Sequence, residues 1–343
     1  MKLLVTGGAG FIGSHVIRTW LTHHPTDEII NLDLLTYAGS KERLADCDPR
    51  RHHFLHGNIC DPETVRAAIT GCSAVIHVAA ETHVDRSITD AAAFLRTNIE
   101  GTHVLLEAAR AAGVERFIHV STDEVYGPVL QGAVDETAPL APKSPYAASK
   151  AAGDLLAQAC AHTYGLPVIV VRPTNIFGPA QLPEKLIPLC ITSAFDARPI
   201  PLYGDGQQRR AWLHVDDLVN ALCLILERGD AGRVYNIGSG EERTNLDTAR
   251  DVLAIAGASS SLLQCVADRP GHDRRYAMRD EAVRALGWRP HISFAHGLEQ
   301  TVAWYRAHPE WWAPLTQKLR DDSYHWLNRA PRTRADQTVG AVL

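Results

Sequence analysis

The sequence lacks any long apolar run. Nowhere does it reach the roughly 20 consecutive apolar residues that a membrane-spanning helix needs. Its first residues, MKLLV, form an apolar run far shorter than the core of a secretion signal, and they lead directly into glycines. We therefore interpret them as a buried strand and expect no membrane partner.

Cysteine is present without an organised pattern. The seven cysteines are an odd number, they are scattered over the chain, and none belongs to a C-x-x-C pair. This distribution favours reduced thiols in a cytoplasm over a disulfide framework. We predict a cytoplasmic protein without a metal site.

The charged residues form no basic stripe. The 34 basic and 39 acidic residues are spread along the chain and leave a net charge of −5. We therefore expect small-molecule ligands and no nucleic-acid partner. A chain of 343 residues that is 45% hydrophobic can form one large α/β domain with a smaller partner.

Short apolar runs alternate with amphipathic stretches in the first half of the chain. We predict strands at residues 2–6, 28–33, 53–56, 74–78, 116–121 and 168–172. We predict helices at residues 14–23, 61–68, 91–112 and 146–164. Strands that are apolar throughout and alternate with helices indicate a parallel sheet covered on both faces.

The second half is punctuated by proline and predicts a smaller, discontinuous substrate-binding lobe. We assign residues 1–172 to the main domain, 173–315 mostly to the lobe, and 316–343 to a tail. A helix at 215–227 and a strand at 233–237 indicate that the chain near 210–240 returns to the main sheet. The tail is polar, rich in arginine and without periodicity after Asn328.

A glycine-rich loop follows the first predicted strand and opens the first predicted helix. Gly8, Gly10 and Gly13 have the spacing G-x-G-x-x-G, the fingerprint of dinucleotide-binding proteins in this context. The turn needs conformations that a Cβ atom obstructs, and a pyrophosphate must approach the main chain at the helix N-terminus. A purely structural turn is the alternative. The loop predicts a Rossmann-type doubly wound sheet with a dinucleotide-binding domain at 1–172.

Two polar residues after the next strands refine this prediction. Asp33 ends the second predicted strand, where a carboxylate can accept both adenosine-ribose hydroxyls and would repel a 2′-phosphate. NAD is therefore predicted over NADP. Asn58 follows the third strand and either contacts the adenine edge or only forms a turn.

Hydroxyls and two carboxylates follow another predicted strand. Thr122, Asp123 and Glu124 come directly after residues 116–121, and ligands of open α/β sheets bind at the carboxyl ends of strands. Asp123 and Glu124 are candidates to divide proton transfer, because a proton donor and a proton acceptor need different environments. Alternatively, Asp123 only caps a turn and Glu124 is only solvated.

Tyr146 and Lys150 lie four residues apart on one face of a predicted helix. A cation beside a phenol lowers the pKa of the phenol, so Tyr146 is predicted to act as a base at neutral pH. Lys150 could also hold the nicotinamide ribose. Y-x-x-x-K is common on solvated helix faces, but the glycine loop and the hydroxyls of Ser121 and Thr122 favour a catalytic pair.

At these residues the chain resembles the extended short-chain dehydrogenase/reductase superfamily, and within it the nucleotide-sugar 4,6-dehydratases. The resemblance runs from Leu3 to about Leu315 and includes the segments AAETHVDRS (79–87), PEKLIP (183–188), YGDG (203–206) and DRPGHD (268–273). The Thr-Asp-Glu triplet at 122–124 is its specific part. Related 4-epimerases and decarboxylases share the glycine loop and the Tyr/Lys pair but usually lack this aspartate.

The resemblance implies a reaction and a role for each catalytic residue. A nucleotide-activated glucose, with dTDP-glucose the first choice, would be dehydrated to its 4-keto-6-deoxy sugar, and NAD would stay bound as a catalytic group. Tyr146 would remove the 4-hydroxyl proton while Thr122 holds that oxygen. Glu124 would take the C5 proton and Asp123 would protonate the departing 6-hydroxyl. A homodimer is also implied, through the helices at 91–112 and 146–164.

The resemblance also implies two sets of binding residues. Those for the cofactor are Gly7, Gly8, Gly10, Phe11, Ile12, Gly13, Asp33, Asn58, Ile59, Ala79, Ala80, Tyr146 and Lys150. Those for the substrate are Thr82, His83, Arg86, Asn175, Lys185, Leu186, Pro201, Tyr203, Arg210, Asn236, Arg269 and His272. Tyr203 could stack on the base, and the alternative for Lys185 and Arg210 is that they are surface cations.

Three positions depart from the family pattern and leave the nucleotide open. Family members usually carry asparagine where this chain has Ile176, an acid where it has Ala211, and histidine where it has Leu218. UDP-glucose or another nucleotide sugar therefore stays an alternative to dTDP-glucose. A nucleotide-sugar 4-epimerase and a catalytically silent NAD-binding protein are the competing functions.

The spacing of Tyr146 and Lys150 generates a test. Tyr146→Phe is expected to lower kcat by about 10²-fold or more, because the variant loses a positioned base. The bound NAD, extracted and measured by its absorbance, should be unchanged. Near-normal turnover of the activated sugar would show that Tyr146 is not the base.

Overall fold

The structure is a computed structural model, and it describes residues 1–323 of the chain. Its strands are β1 (Lys2–Thr6), β2 (Glu28–Asp33), β3 (His52–His56), β4 (Ala74–His77), β5 (Arg116–Val120), β6 (Val168–Pro173), β7 (Asn175–Phe177), β8 (Ile200–Tyr203), β9 (Arg209–His214), β10 (Val234–Ile237), β11 (Glu242–Thr244) and β12 (Leu263–Val266). Its α-helices are α1 (Phe11–His23), α2 (Pro62–Ile69), α3 (Val84–Thr89), α4 (Ala92–Leu95), α5 (Thr102–Ala112), α6 (Pro145–Tyr164), α7 (Leu186–Phe195), α8 (Val215–Arg228), α9 (Asn245–Ala256), α10 (Glu281–Ala285), α11 (Phe294–Ala307) and α12 (Pro309–Ser323).

Seven parallel strands form the main sheet, in the order β10-β6-β5-β4-β1-β2-β3. The strands are apolar along their length because helices cover both faces: Leu3 and Val5 pack in one buried cluster, and Leu4 packs in another. Helices α1 and α8 contribute to the first cluster, and α2, α5 and α6 contribute to the second. The predicted doubly wound α/β sheet is confirmed.

The smaller lobe is built from chain segments that leave the main sheet after β6. β7, β9 and β11 form a three-stranded sheet, and β8 pairs with β12. Helices α7, α9, α11 and α12 share a separate apolar cluster with these strands. Strand β10 then pairs in parallel with β6, so the chain returns to the main sheet.

A buried ion pair attaches helix α6 to strand β6. The Arg172 guanidinium donates from Nε to Asp154 Oδ2 at 2.8 Å and from Nη2 to Asp154 Oδ1 at 3.0 Å, and both side chains are buried. Its Nη1 donates to the hydroxyl of Tyr126 at 2.7 Å, and that hydroxyl donates to Asn236 Oδ1 at 2.8 Å. The network joins α6 to β6, to the turn after β5, and to β10.

The helix predicted at 91–112 is interrupted. A π-helical turn, Arg96–Gly101, separates α4 from α5. Within it, Asn98 Nδ2 donates to Glu81 O at 3.0 Å and to Ser149 Oγ at 2.9 Å. These bonds tie the turn to the loop after β4 and to α6, and such turns occur often at functional sites.

The final described helix extends into the region predicted as a tail. α12 continues to Ser323, although Pro314 lies inside it. Trp312 is buried and donates from Nε1 to Tyr305 O at 2.8 Å, so packing on α11 holds the helix. The predicted tail beyond residue 323 lies outside the described residues. None of the helices within residues 1–323 is long and apolar enough to cross a membrane.

Candidate active site

A cavity of about 450 Å³ lies where the carboxyl ends of the main strands meet the smaller lobe. The glycine loop after β1, Asp33 after β2, the segment 78–85 after β4 and the triplet after β5 line one side. Residues of β8, β9 and α7 line the other side. The strand ends and the lobe therefore face each other across one space.

The glycine loop is packed too tightly for side chains at several of its positions. A Cβ atom at Gly7, where φ is +71°, would lie 2.6 Å from the backbone of Ala79, and one at Gly13 would lie 2.2 Å from Gly7 O. At Gly10, which lines the cavity, a Cβ atom would meet Gly7 O at 3.1 Å. The loop thus brings its main chain to the cavity at the N-terminus of α1, as a bound pyrophosphate requires.

Asp33 is held at the cavity by backbone donors. Its Oδ2 accepts from Ala9 N at 2.9 Å and its Oδ1 accepts from Leu35 N at 2.7 Å. Burial raises the pKa of this carboxyl, although the two backbone hydrogen bonds and the charge of Arg43 oppose the rise. Each oxygen keeps a further acceptor position, which suits the two hydroxyls of an adenosine ribose.

Most of the cofactor residues implied by the resemblance line the cavity. They are Gly7, Gly10, Phe11, Ile12, Gly13, Asp33, Asn58, Ile59, Ala79, Ala80, Tyr146 and Lys150. Gly8 does not line the cavity. This residue of the loop faces strand β2, where a Cβ atom would come within 2.2 Å of Asn31 Oδ1. Asn58 serves a turn as well, since its Oδ1 accepts from Cys60 N at 2.9 Å.

The candidate catalytic side chains come together on the β5 side of the cavity. Thr122, Asp123, Glu124, Tyr146 and Lys150 all line it. Thr122 caps the helical turn Asp123–Tyr126 by accepting from Glu124 N at 3.3 Å, and its hydroxyl donates to Asp123 Oδ1 at 3.3 Å. Tyr146 and Lys150 are anchored by α6, whose backbone N–H at Tyr146 donates to Ser87 Oγ at 3.1 Å.

The Asp123 carboxyl is placed to keep a proton at neutral pH. Burial, and next the negative charge of Glu124, raise its pKa to about 7, against the opposing charge of Arg210 and hydrogen bonds from Thr174 and Thr122. Thr174 donates to Asp123 Oδ2 at 3.1 Å. A carboxyl that is protonated near pH 7 can donate to a leaving hydroxyl.

The Glu124 carboxyl faces cations instead. Burial raises its pKa, but the charges of Arg269, Arg210 and Lys185 all oppose the rise. The negative charge of Glu124 helps to raise the pKa of Asp123, whereas three cations oppose the rise at Glu124, so the two adjacent acids have different environments. That difference is what a proton donor beside a proton acceptor requires.

The expected effect of Lys150 on Tyr146 is wrong for this structure. Burial, and next the charge of Glu124, raise the pKa of the Tyr146 phenol, and Lys150 is not among the groups that shift it. Lys150 Nζ donates to Val120 O at 2.6 Å, and burial lowers its own pKa to about 8. Desolvation therefore outweighs the attraction that the four-residue spacing predicted.

Ten of the predicted substrate residues line the cavity: Thr82, His83, Asn175, Lys185, Leu186, Pro201, Tyr203, Arg210, Arg269 and His272. Arg210 is buried with its guanidinium 4.4 Å from the centre of the Tyr276 ring, so it is not a surface cation. Arg269 donates to Asp85 Oδ1 at 2.9 Å. The hydroxyl of Tyr203 donates to Asp85 Oδ2 at 2.8 Å.

Two aspartates hold these cavity side chains in place: Asp85 contacts Arg269 and Tyr203, and Asp268 contacts His272. Burial alone would raise the pKa of Asp85, but the charges of Arg269 and His83 lower it overall. His272 Nδ1 lies 2.6 Å from Asp268 Oδ1, and burial together with the charge of Arg269 lowers the pKa of His272 to about 4. His272 is therefore a neutral imidazole at physiological pH.

Two predicted substrate residues do not line the cavity. The Arg86 guanidinium lies 3.8 Å from the centre of the Tyr37 ring, and its Nε is 3.9 Å from Glu184 Oε2. Asn236 is buried in β10, where its amide accepts from Tyr126 and donates to Arg279 O at 3.0 Å. The polar groups of the Asn236 side chain are used inside the protein, and its implied contact with a diphosphate stays a prediction.

A further asparagine at the cavity was not predicted from the sequence. Asn245 lines the cavity from the first residue of α9, a helix capped by Thr244. A capped helix N-terminus after a strand is a signal for anion binding, and it was available in the sequence. Thr174, which bonds Asp123, was also missed because it belongs to no local motif.

Only one of the three departures from the family pattern faces the cavity. Ile176 lines it. Ala211 is paired with Glu242 in the three-stranded sheet, and Leu218 is fully buried in a core cluster. Among the described residues, no group of three or more histidine, cysteine, aspartate or glutamate side chains is arranged to hold a metal ion.

Comparison with known proteins identifies clear relatives. The model of the NAD dependent epimerase/dehydratase family matches residues 3–238. The dTDP-glucose 4,6-dehydratase of Streptomyces niveus is 51% identical over 321 residues, which cover 92% of this chain and 96% of that protein. The low-salt glycan biosynthesis protein Agl12 of Haloferax volcanii is 47% identical, with 89% and 98% covered.

Solved structures of related enzymes are similar to this chain in both fold and sequence. The structure of DesIV, a dTDP-glucose 4,6-dehydratase from Streptomyces venezuelae solved with NAD and dTDP bound, has a TM-score of 0.90 and 50% identity, covering 92% of this chain and all of that one. The UDP-glucose 4-epimerase of Thermus thermophilus, solved with NAD, has a TM-score of 0.83 and 33% identity, with 89% and 99% covered.

The raised pKa of Asp123 generates a test of stability. The native pKa is about 7, whereas an unfolded aspartate titrates near 3.9. Between about pH 4 and 7 the native state therefore holds the extra proton, and the free energy of unfolding falls as the pH rises. Asp123→Asn should be more stable than wild type at pH 8, with the difference shrinking toward pH 4, as measured by urea unfolding.

Asp205 provides the matched control. It is exposed, and its hydrogen bonds with Arg274 lower its pKa to about 2. Asp205→Asn should therefore gain no stability at pH 8. An Asp123→Asn protein whose stability relative to wild type does not change with pH would contradict the assigned pKa.

Proposed function

The chain belongs to the NAD dependent epimerase/dehydratase family, and we propose that it is an NAD-dependent dTDP-glucose 4,6-dehydratase. It converts dTDP-glucose to the 4-keto-6-deoxy sugar by oxidation at C4, elimination of water across C5 and C6, and return of the hydride to C6. The observation that carries this proposal is the adjacent pair Asp123 and Glu124, which lines the same cavity as Tyr146. An epimerase needs the Tyr146 function but no proton donor for a leaving hydroxyl.

The residues divide the proton transfers among them. Bound NAD supplies a hydride acceptor for C4 and the hydride donor for C6. Tyr146 takes the proton of the 4-hydroxyl in its phenolate form, since a protonated phenol cannot accept it, and Thr122 holds that oxygen. Glu124 removes the C5 proton, which the 4-keto group acidifies, and returns a proton to C5 after the hydride reaches C6. Asp123 gives its proton to the departing 6-hydroxyl, which leaves as water. Tyr146 then loses the proton that it took and Asp123 regains one, so the net change over one turnover is the loss of one water.

Two features of the site favour this assignment of the acids. Asp123 holds a proton near pH 7 because it is buried beside Glu124. Glu124 lies among the cations Arg269 and Arg210, which favour its ionised form. The acid that must donate is thus the one whose pKa lies near 7, and the acid that must accept is the one facing Arg269, Arg210 and Lys185.

The lobe side of the cavity supplies donors for a nucleoside diphosphate. Arg210, Arg269 and Lys185 carry the positive charge, Asn175 and Asn245 add amides, and Tyr203 presents a ring for the base. Guanidinium groups bind phosphate oxygens through charge-assisted hydrogen bonds. We assign the base as thymine, and Ile176 is the departure from the family pattern that lies near enough to influence this choice.

We further propose that the protein is a cytoplasmic homodimer. All seven cysteines are free thiols, which a reducing compartment preserves. Leu95, beside the π-helical turn, and Leu155, on α6, are 51% and 56% exposed. Two large apolar side chains on neighbouring helices support a contact between α4–α6 of one chain and the same helices of a second copy.

Isotopic labelling tests the reaction directly. Deuterium placed at C4 of dTDP-glucose should be recovered at C6 of the product, because oxidation and reduction share one cavity. Product made in D₂O should gain deuterium at C5, where Glu124 exchanges its proton with solvent. Mass spectrometry and NMR of the product locate both labels. Recovery of the C4 label at C4 would indicate an epimerase, and its appearance in free NADH would indicate an ordinary dehydrogenase.

Light scattering tests the dimer. The wild-type protein should have twice the 37.5 kDa mass of one chain, and Leu155→Glu should shift it toward the monomer because a charge cannot be buried in an apolar contact. Leu130 is 66% exposed and lies outside these helices, so Leu130→Glu is the matched control. A Leu155→Glu protein that remains dimeric would exclude this helix from the interface.

A further inference from the structure

Residues 34–40, here named the cover loop, connect β2 to the short helical turn Lys41–Leu44. Leu34, Thr36, Ala38 and Gly39 line the cavity directly beyond Asp33. The cover loop therefore lies over the place where the adenosine ribose of a dinucleotide would be held. The cover loop also contacts the smaller lobe.

The first contact is made by Tyr37. Its hydroxyl donates to Glu184 Oε1 at 3.0 Å. The Glu184 side chain is only 3% exposed, and its Oε2 lies 3.7 Å from His83 Nε2 and 3.9 Å from Arg86 Nε. Because a buried carboxylate needs its donors, the Tyr37 hydroxyl holds Glu184 strongly.

The second contact is made by Arg43. Its Nη1 donates to Ala9 O at 2.8 Å, in the glycine loop, and to Ala38 O at 2.9 Å, in the cover loop. Its Nε and Nη2 donate to Ala180 O at 3.3 and 3.2 Å. One buried guanidinium thus joins both loops of the dinucleotide side to the lobe.

Both contacts end on the same short segment of the lobe, residues 180–184. This segment leads directly into Lys185 and Leu186, which line the substrate side of the cavity. Lys185 Nζ also donates to Thr82 O at 2.9 Å. A shift of the segment would therefore move groups that face the nucleotide sugar.

The backbone on both sides is held in an unfavourable conformation. Leu35 in the cover loop has φ of +52°, and Ala180 in the lobe segment has φ of +61°. Residues other than glycine rarely adopt such angles, so the backbone of each segment is strained in the conformation that these contacts hold. The contacts of Tyr37 and Arg43 thus oppose a tendency of both segments to relax.

We propose that the cover loop and segment 180–184 dock as one unit, so that binding of the nucleotide sugar and retention of NAD strengthen each other. Tyr37, Glu184 and Arg43 are the positioning residues of this coupling. The inference rests on the proposed function for the identity of the two ligands. A nucleotide held by Lys185 and Leu186 stabilises the docked segment, the docked segment holds the cover loop, and the cover loop closes over the dinucleotide. Linkage makes the effect reciprocal.

The test measures NAD release instead of turnover. The holoenzyme is mixed with excess isotopically labelled NAD, and exchange is followed by desalting and mass spectrometry, with and without saturating dTDP. In the wild-type protein, dTDP should slow exchange by about fivefold or more. In Tyr37→Phe, NAD should exchange faster than in wild type without dTDP, and dTDP should slow exchange by less than about twofold.

Two further variants complete the design. Arg43→Met keeps an unbranched side chain against the Trp311 ring, 5.2 Å from the guanidinium, but loses every donor, and it should weaken the dTDP effect as Tyr37→Phe does. Tyr235→Phe is the matched control, because this buried tyrosine of β10 accepts from Asp230 N and does not line the cavity. It should behave as wild type.

The outcomes separate the coupling from the proposed function. The coupling would be overturned if dTDP left the rate of NAD exchange unchanged in the wild-type protein. It would also be overturned if dTDP slowed exchange in Tyr37→Phe as much as it does in wild type. A wild-type protein that slows NAD exchange with dTDP but does not dehydrate dTDP-glucose would overturn the proposed function and leave the coupling intact.

Discussion

The buried ion pair between Asp154 and Arg172 is the interaction on which the site depends. It holds α6, and with it Tyr146 and Lys150, against β6 at a distance set by two hydrogen bonds. The same guanidinium holds Tyr126 at the end of the turn that carries Asp123 and Glu124. Removing one member of a buried pair leaves an uncompensated charge, which is far more costly than the pair is stabilising. The relative position of the base and the two acids is therefore built into the core.

Around this pair, burial of the ionisable side chains shifts their pKa values and so decides which of them can donate or accept a proton. The same desolvation that raises the pKa of Asp123 to about 7 also lowers that of Lys150 to about 8. Cations from the lobe then separate Glu124 from Asp123 in electrostatic terms. Two adjacent residues of one turn become a donor and an acceptor because Asp123 lies beside the negative charge of Glu124, whereas Glu124 lies among three cations.

The sequence predicted those parts of the molecule whose physics is local. Alternating apolar runs predicted the parallel sheet, and the glycine spacing with Asp33 predicted the dinucleotide side. Properties that depend on tertiary neighbours could not be predicted from the sequence. Asn236 and Asn245 are equally plausible in the sequence, but only packing decides that one bonds Tyr126 and the other lines the cavity. The π-helical turn depends on Asn98 reaching Glu81 and Ser149, and the pKa of Tyr146 depends on its burial.

The continuity of the cavity has a consequence for the cell. Both ligand sides line one space at the strand ends, and in the proposed reaction the hydride removed from C4 of the sugar is returned to C6 in that space before the product leaves. Such a protein draws no net reducing power from the soluble NAD pool. Its flux in a living cell should follow the supply of activated sugar and the amount of protein, and stay constant when metabolism shifts between oxidised and reduced states.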